Sequence, residues 1–152
     1  MASPITCSAA TALAAPGTDA ALLAPTANGW PVVGPITSPY GWRTDPISGA
    51  RSFHSGTDIA AACGTPAVAP LDGTVISVGL DPSLGNYITV AHAGGLRTTY
   101  GHLSRQLVAP GQPIATGQVL GLVGSTGRST GCHLHFGATR NGVSIDSRTL
   151  LP

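Results

Sequence analysis

From Trp30 onward the chain breaks into short apolar runs separated by Gly, Pro, Asn and Asp about every 8 to 12 residues, the rhythm of a β-sandwich or barrel. No run is long enough, at helical spacing, to give an amphipathic helix of ordinary length. With 21 Gly and 13 Pro in 152 residues, turn chemistry is spread through the whole chain. The expected fold is all-β, an antiparallel β-sandwich with few or no helices. Strands are predicted over residues 67–69, 73–79, 87–92, 96–102, 119–123 and 133–139, with a short last one near Val143. The AHAGGLR turn should join the third and fourth as a hairpin and place His102 at a strand end. Segments 69–79 (APLDGTVISVG) and 115–124 (ATGQVLGLVG) share a turn, a Gly and an alternating apolar strand, a weak sign of internal duplication.

Residues 1–29 differ in texture. They hold Ala, Pro, Thr and Ser, offer little that could pack, and lack a basic leading segment, so they are read as a tail or linker ahead of a single domain over residues 30–152. Cys7 falls in that tail, and the preceding Pro4, Ile5 and Thr6 do not resemble a lipidation box. No stretch approaches 18 apolar residues, so no membrane span is expected.

Charge narrows the function. The formal net charge is +1 with no basic run, which gives no footprint for nucleic acid. All seven basic residues are Arg and all six acidic ones are Asp. A Glu general base, a Schiff-base or biotinylated Lys and a P-loop Lys are therefore excluded. That also removes the swivelling carrier domains, which share a duplicated β fold but need a modifiable Lys.

Four of the five histidines and one aspartate fall in three short clusters, HSGTD (His54, Asp58), YGHL (Tyr100, His102) and CHLHF (His133, His135). His133 and His135 lie two apart, so on a strand they share one face with Cα atoms about 7 Å apart, near enough to serve one site. His54 and Asp58 would stand about 13 Å apart on an extended strand, too far for one ion, so the chain must bend between them, and Gly56 permits that. Two imidazoles, a carboxylate and an open position suit Zn²⁺, whose bound water has a pKa near 7. With no Glu in the chain, the remaining imidazoles must act as acid, base or oxyanion donor. The residues alone leave open which of His133 and His135 is the ligand.

These clusters, in this order and spacing, resemble the lysostaphin and LytM type of peptidoglycan endopeptidase, the M23 metallopeptidases. The flanks agree: SPYGWRTDPISGARSFHSGTDIAA (38–61), GTPAVAPLDGTVISVG (64–79), GNYITVAH (85–92) and GQVLGLVGSTGRSTGCHLHF (117–136). The likeness covers about residues 30–150. It implies the duplicated hybrid β fold, one zinc per chain on His54, Asp58 and His135, and His102 with His133 as the catalytic pair. The implied activity is hydrolysis of peptide cross-links or bridges in peptidoglycan by an exported enzyme acting on wall peptides as a monomer. One departure stands out: family members commonly read HLHFE, whereas Gly137 holds the Glu position here.

Other residues receive plainer readings. His92 is read as a satisfied polar residue, Asp45 as a turn residue with Arg43 as its partner, and Tyr100 is balanced between core and a contact to substrate or oxyanion. If the clusters meet, Cys63 and Cys132 are carried together, and a disulfide closing a loop of about 70 residues implies an oxidising compartment. Two other functions compete: a non-catalytic envelope module that binds walls or activates another hydrolase, and a histidine phosphocarrier. The Asp58 carboxylate and the expected disulfide argue against the phosphocarrier.

Overall fold

A computed structural model describes residues 29–152. The expected tail over 1–29, with Cys7, lies outside the described residues except for Gly29. Twelve strands follow: β1 Ile36–Ser38, β2 Gly41–Thr44, β3 Arg51–His54, β4 Gly56–Ala60, β5 Pro66–Val68, β6 Gly73–Asp81, β7 Gly85–Ala91, β8 Leu96–Gln106, β9 Pro113–Ile114, β10 Val119–Val123, β11 His133–Arg140 and β12 Val143–Ile145. The only helical pieces among the described residues are two 3₁₀ turns, Ala93–Gly95 and Ser147–Leu150.

Every pairing is antiparallel. The main sheet runs β1-β4-β11-β8-β7-β6-β9, with β12 beside β11 and β5 beside β10. β8 joins two layers: up to Gly101 it lies between β7 and β11, and from Leu103 onward it pairs with β10. Ile59, Ala67, Val75, Ile88, Tyr100, Leu103, Leu120, Val123, Leu134 and Phe136, drawn from both layers, pack into one buried cluster. Burying a side chain of this size contributes about 1.5–3 kcal/mol. The shared core is what holds the layers face to face.

The hairpin of β7 and β8 forms as expected, its turn carried by Gly94 and Gly95 at φ 74° and 75°, a region that favours glycine. The two similar segments meet at their turns. Asp72 accepts hydrogen bonds from the Thr116 amide (2.7 Å) and hydroxyl (2.8 Å), while the Gly117 amide donates to the Ala69 carbonyl (2.7 Å).

Five strands were not anticipated: β1 to β4 and the short β9. β2 and β3 form a separate two-stranded sheet with Arg43 opposite Ser52. One face, with Trp42 and Phe53, is exposed, while the other, with Arg43, Ser52 and His54, is partly or fully buried, so polar residues point inward and the usual apolar-in alternation of a strand is missing.

Candidate metal centre

The site lies where β4, β8 and β11 run side by side. Gly56 and Asp58 of β4 alternate with Thr57 and Ile59, and His135 of β11 alternates with Leu134 and Phe136. Asp58 stands directly opposite His135 in the ladder. The apolar members of each alternation enter the core, which turns the polar members to the other face.

His54 reaches the same point from the end of β3, which Ser55 alone separates from β4. Gly56 serves that meeting by its lack of a side chain: a Cβ there would stand 2.6 Å from Cε1 and Nε2 of His135. The glycine expected to allow a bend is thus needed for close approach.

His54 Nε2, His135 Nδ1 and Asp58 Oδ1 form a triangle with each side 3.2 Å. A tetrahedral ion with bonds of about 2.0–2.1 Å has ligand-to-ligand edges of about 3.3 Å, so the three donors fit one such cation on one side of their plane. The donor chemistry agrees. Burial, the dominant influence, lowers the pKa of His135, which keeps it neutral and able to coordinate. Burial works to raise the pKa of Asp58, but the close approach of His135 and His54, each 3.2 Å from Oδ1, outweighs it and holds the carboxyl well below the usual value. His54 Nδ1 donates to the Pro39 carbonyl (3.1 Å), which leaves Nε2 as the lone-pair nitrogen.

Two further imidazoles stand beside the triangle. The His102 ring lies 4.7 Å from that of His133 and 5.9 Å from that of His135. His102 Nδ1 donates to the Thr126 carbonyl (2.7 Å) and His133 Nδ1 to the Gly131 carbonyl (2.9 Å), leaving Nε2 of each as the basic nitrogen. Burial lowers the pKa of His102, so it is a neutral base at neutral pH. Contrary to expectation, His102 is inside β8, at a bulge where the strand changes partners, with φ 63°. A non-glycine residue in that region carries about 1–2 kcal/mol of strain.

Other expectations sort as follows. Tyr100 is fully buried, packs on Phe136 and shares a 2.7 Å hydrogen bond with the Thr98 hydroxyl; burial raises its pKa. It belongs to the core and has no access to a substrate oxygen. His92 is held by the Asp72 carbonyl and the Thr98 hydroxyl, each at 2.7 Å. The Cys63–Cys132 disulfide forms, with Cα atoms 5.3 Å apart, and pins the segment just before His133. Arg43 is not the partner of Asp45. Asp45 accepts from the amides of Ile47 and Ser48 and pairs with Arg128 at 3.0 Å, whereas Arg43 points to Asp58. No spacing rule could have found that contact across two sheets.

His54, Asp58, His102, His133 and His135 line one cavity of about 1010 Å³, walled by the β2–β3 turn and the segment 128–130, with room for several residues of peptide. Donors for one cation with free imidazoles at the base of such a groove are the means of a metallopeptidase. The comparisons with known proteins bring this to a family: the model of peptidase family M23 matches residues 52–147, and the chain belongs to that family. It is 44% identical over 111 residues to the DD-carboxypeptidase/endopeptidase Mpg of Neisseria meningitidis, covering 73% of this chain and 26% of that protein. It is 40% identical over 108 residues to the peptidoglycan DD-endopeptidase ShyC of Vibrio cholerae, covering 71% and 25%. The chain thus spans about a quarter of these curated relatives. Among solved structures, a zinc-containing peptidase from Vibrio cholerae superposes with TM-score 0.70 at 38% identity, covering 79% of this chain and 38% of that one. The catalytic domain of lysostaphin from Staphylococcus simulans gives 0.69 at 32% identity, covering 76% and 90%.

Proposed function

We propose that this protein is a zinc-dependent endopeptidase that hydrolyses peptide cross-links of bacterial peptidoglycan outside the cytoplasm. The observation that carries the reading is the 3.2 Å triangle of His54, Asp58 and His135 with two further imidazoles beside it in a peptide-sized groove. The names of the relatives at 40–44% identity favour direct cross-links over glycine bridges, and the disulfide favours an oxidising compartment.

His54, Asp58 and His135 would hold one zinc ion, which when bound supplies Lewis acidity and a water of lowered pKa. The other steps fall to the protein. The groove orients the peptide across the site and displaces bulk water. His102, neutral and fixed through the Thr126 carbonyl, takes a proton on Nε2 as the attack proceeds and can return it to the leaving amine. His133, with Nδ1 tied to Gly131, presents Nε2; once protonated it can donate to the oxygen on which charge develops.

Purified protein with one equivalent of zinc should release cross-link fragments from isolated wall sacculi, identified by mass spectrometry, and lose this with a chelator. His102→Ala should bind zinc normally and cut at least about a hundredfold more slowly. A His102→Ala variant with full activity would overturn the assignment, and binding to walls without cleavage would favour the non-catalytic module.

A further inference from the structure

The two oxygens of Asp58 are used differently. Oδ1 is a corner of the donor triangle, 3.2 Å from both His54 Nε2 and His135 Nδ1. Oδ2 is not one of the three corners and lies 3.6 Å from both Nη1 of Arg43 and Nε2 of His133. Arg43 comes from β2, outside the main sheet, and is anchored by a 2.6 Å hydrogen bond from Nη1 to the hydroxyl of Ser38. Ser38 is itself the β1 residue opposite Asp58 in the β1–β4 pairing, so the guanidinium is fixed relative to the carboxylate by backbone register. Asp58 is the only carboxylate within ion-pair distance of Arg43 among the described residues. Among the described residues the buried Arg43 Nε has no hydrogen-bond partner, and the guanidinium is held through Nη1 by Ser38 and by the charge of Asp58.

A carboxylate can grip a cation with one oxygen or both. With both, Asp58 would occupy a second position on the ion and crowd out the one a water or substrate oxygen needs. We propose that Arg43 is a positioning residue that engages Oδ2 of Asp58 so that only Oδ1 faces the cation site, which keeps one position on the ion open. The role rests on the reading of this cluster as a metal centre and acts through Asp58 without contact to the reacting atoms.

Cobalt(II) is the probe, because its visible absorption is strongest when four-coordinate and falls as a fifth ligand is added. Wild-type protein, Arg43→Met and Arg43→Lys are stripped, checked for melting of the metal-free form, loaded with Co²⁺ and examined for absorption, Co²⁺ affinity, kcat and KM on wall fragments. Arg43→Met should bind one Co²⁺ with absorption reduced severalfold and kcat lowered about tenfold or more, while KM stays within about twofold. Arg43→Lys, which keeps a charge but not the planar fork, should recover part of both signals and serves if Arg43→Met does not fold. An unchanged spectrum in both variants overturns the proposal, whether kcat is kept or KM rises; the latter would make Arg43 a substrate contact. Wild-type protein that takes up no Co²⁺ or Zn²⁺ would instead sink the metal-centre reading beneath it.

Discussion

His135 is flanked by two glycines that should respond very differently to one added carbon. An alanine Cβ at Gly56 would stand 2.6 Å from Cε1 and Nε2 of His135 and 3.0 Å from the Phe136 carbonyl, where ordinary contact begins at 3.4 Å. The carbonyl is fixed in the β4–β11 ladder, so the ring must retreat by about 0.8 Å, the gap between 2.6 and 3.4 Å. Such overpacking costs about 1–3 kcal/mol, or about 4–12 °C in the melting temperature of a domain this size. The retreat takes Nδ1 out of a triangle whose sides are 3.2 Å, so the larger effect should fall on metal. Zinc affinity should drop about 10- to 100-fold, the scale of losing a contact that orients a ligand. At Gly137 the same carbon meets nothing nearer than 3.4 Å, so Gly137→Ala should stay within about 0.5 kcal/mol of wild type. Competition against a zinc-binding dye, with melting of the metal-free proteins, reads both effects. Gly56→Ala with wild-type zinc affinity, or Gly137→Ala equally damaged, would refute the steric reasoning.

Further predictions concern strain, cross-linking and pH. His102→Gly removes the penalty of φ 63° and should melt above His102→Ala by about 1 kcal/mol, whereas equal denaturation midpoints would show that the bulge relaxes once the imidazole is gone. Replacing Cys63 and Cys132 by Ser opens a link across 69 residues and should cost up to about 4 kcal/mol in chemical denaturation; a loss below about 1 kcal/mol would contradict the chain-entropy estimate. Burial lowers the pKa of His102 and His135 below 6.5, so near pH 6 the unfolded chain binds more protons than the folded one, and stability rises with pH. The contribution from the depressed carboxyl of Asp58 persists until pH falls below about 4. The metal-free protein should therefore melt lower at about pH 5.5 than at about pH 7.5, and a flat or inverted trend would contradict the burial argument.

The meeting of the histidine clusters was more legible in the sequence than the scaffold beneath them. Histidines at chosen spacings are rare enough to stand out, and the β7–β8 hairpin announced itself through two adjacent glycines at a turn. Strands β1 to β4, which carry His54 and Asp58, left little trace because exposed or polar residues occupy much of their length. Nearness in sequence pairs Arg43 with the acid two residues away. Asp45 instead spends its carboxylate on its own turn and on Arg128, 83 positions along, while Arg43 crosses to another sheet. The positive φ of His102 was equally hidden, since it arises where one strand changes partners.

The β4–β11 pairing also works as an error check. Asp58 and His135 face the groove only because Ile59, Leu134 and Phe136 take the alternate positions in the core. A slip of one residue in either strand would drive a ligand into apolar packing and expose a large apolar side chain. Misregistered chains therefore lack both a core and the proposed metal centre, and if that centre binds zinc, uptake during refolding should report completion of this long-range pairing.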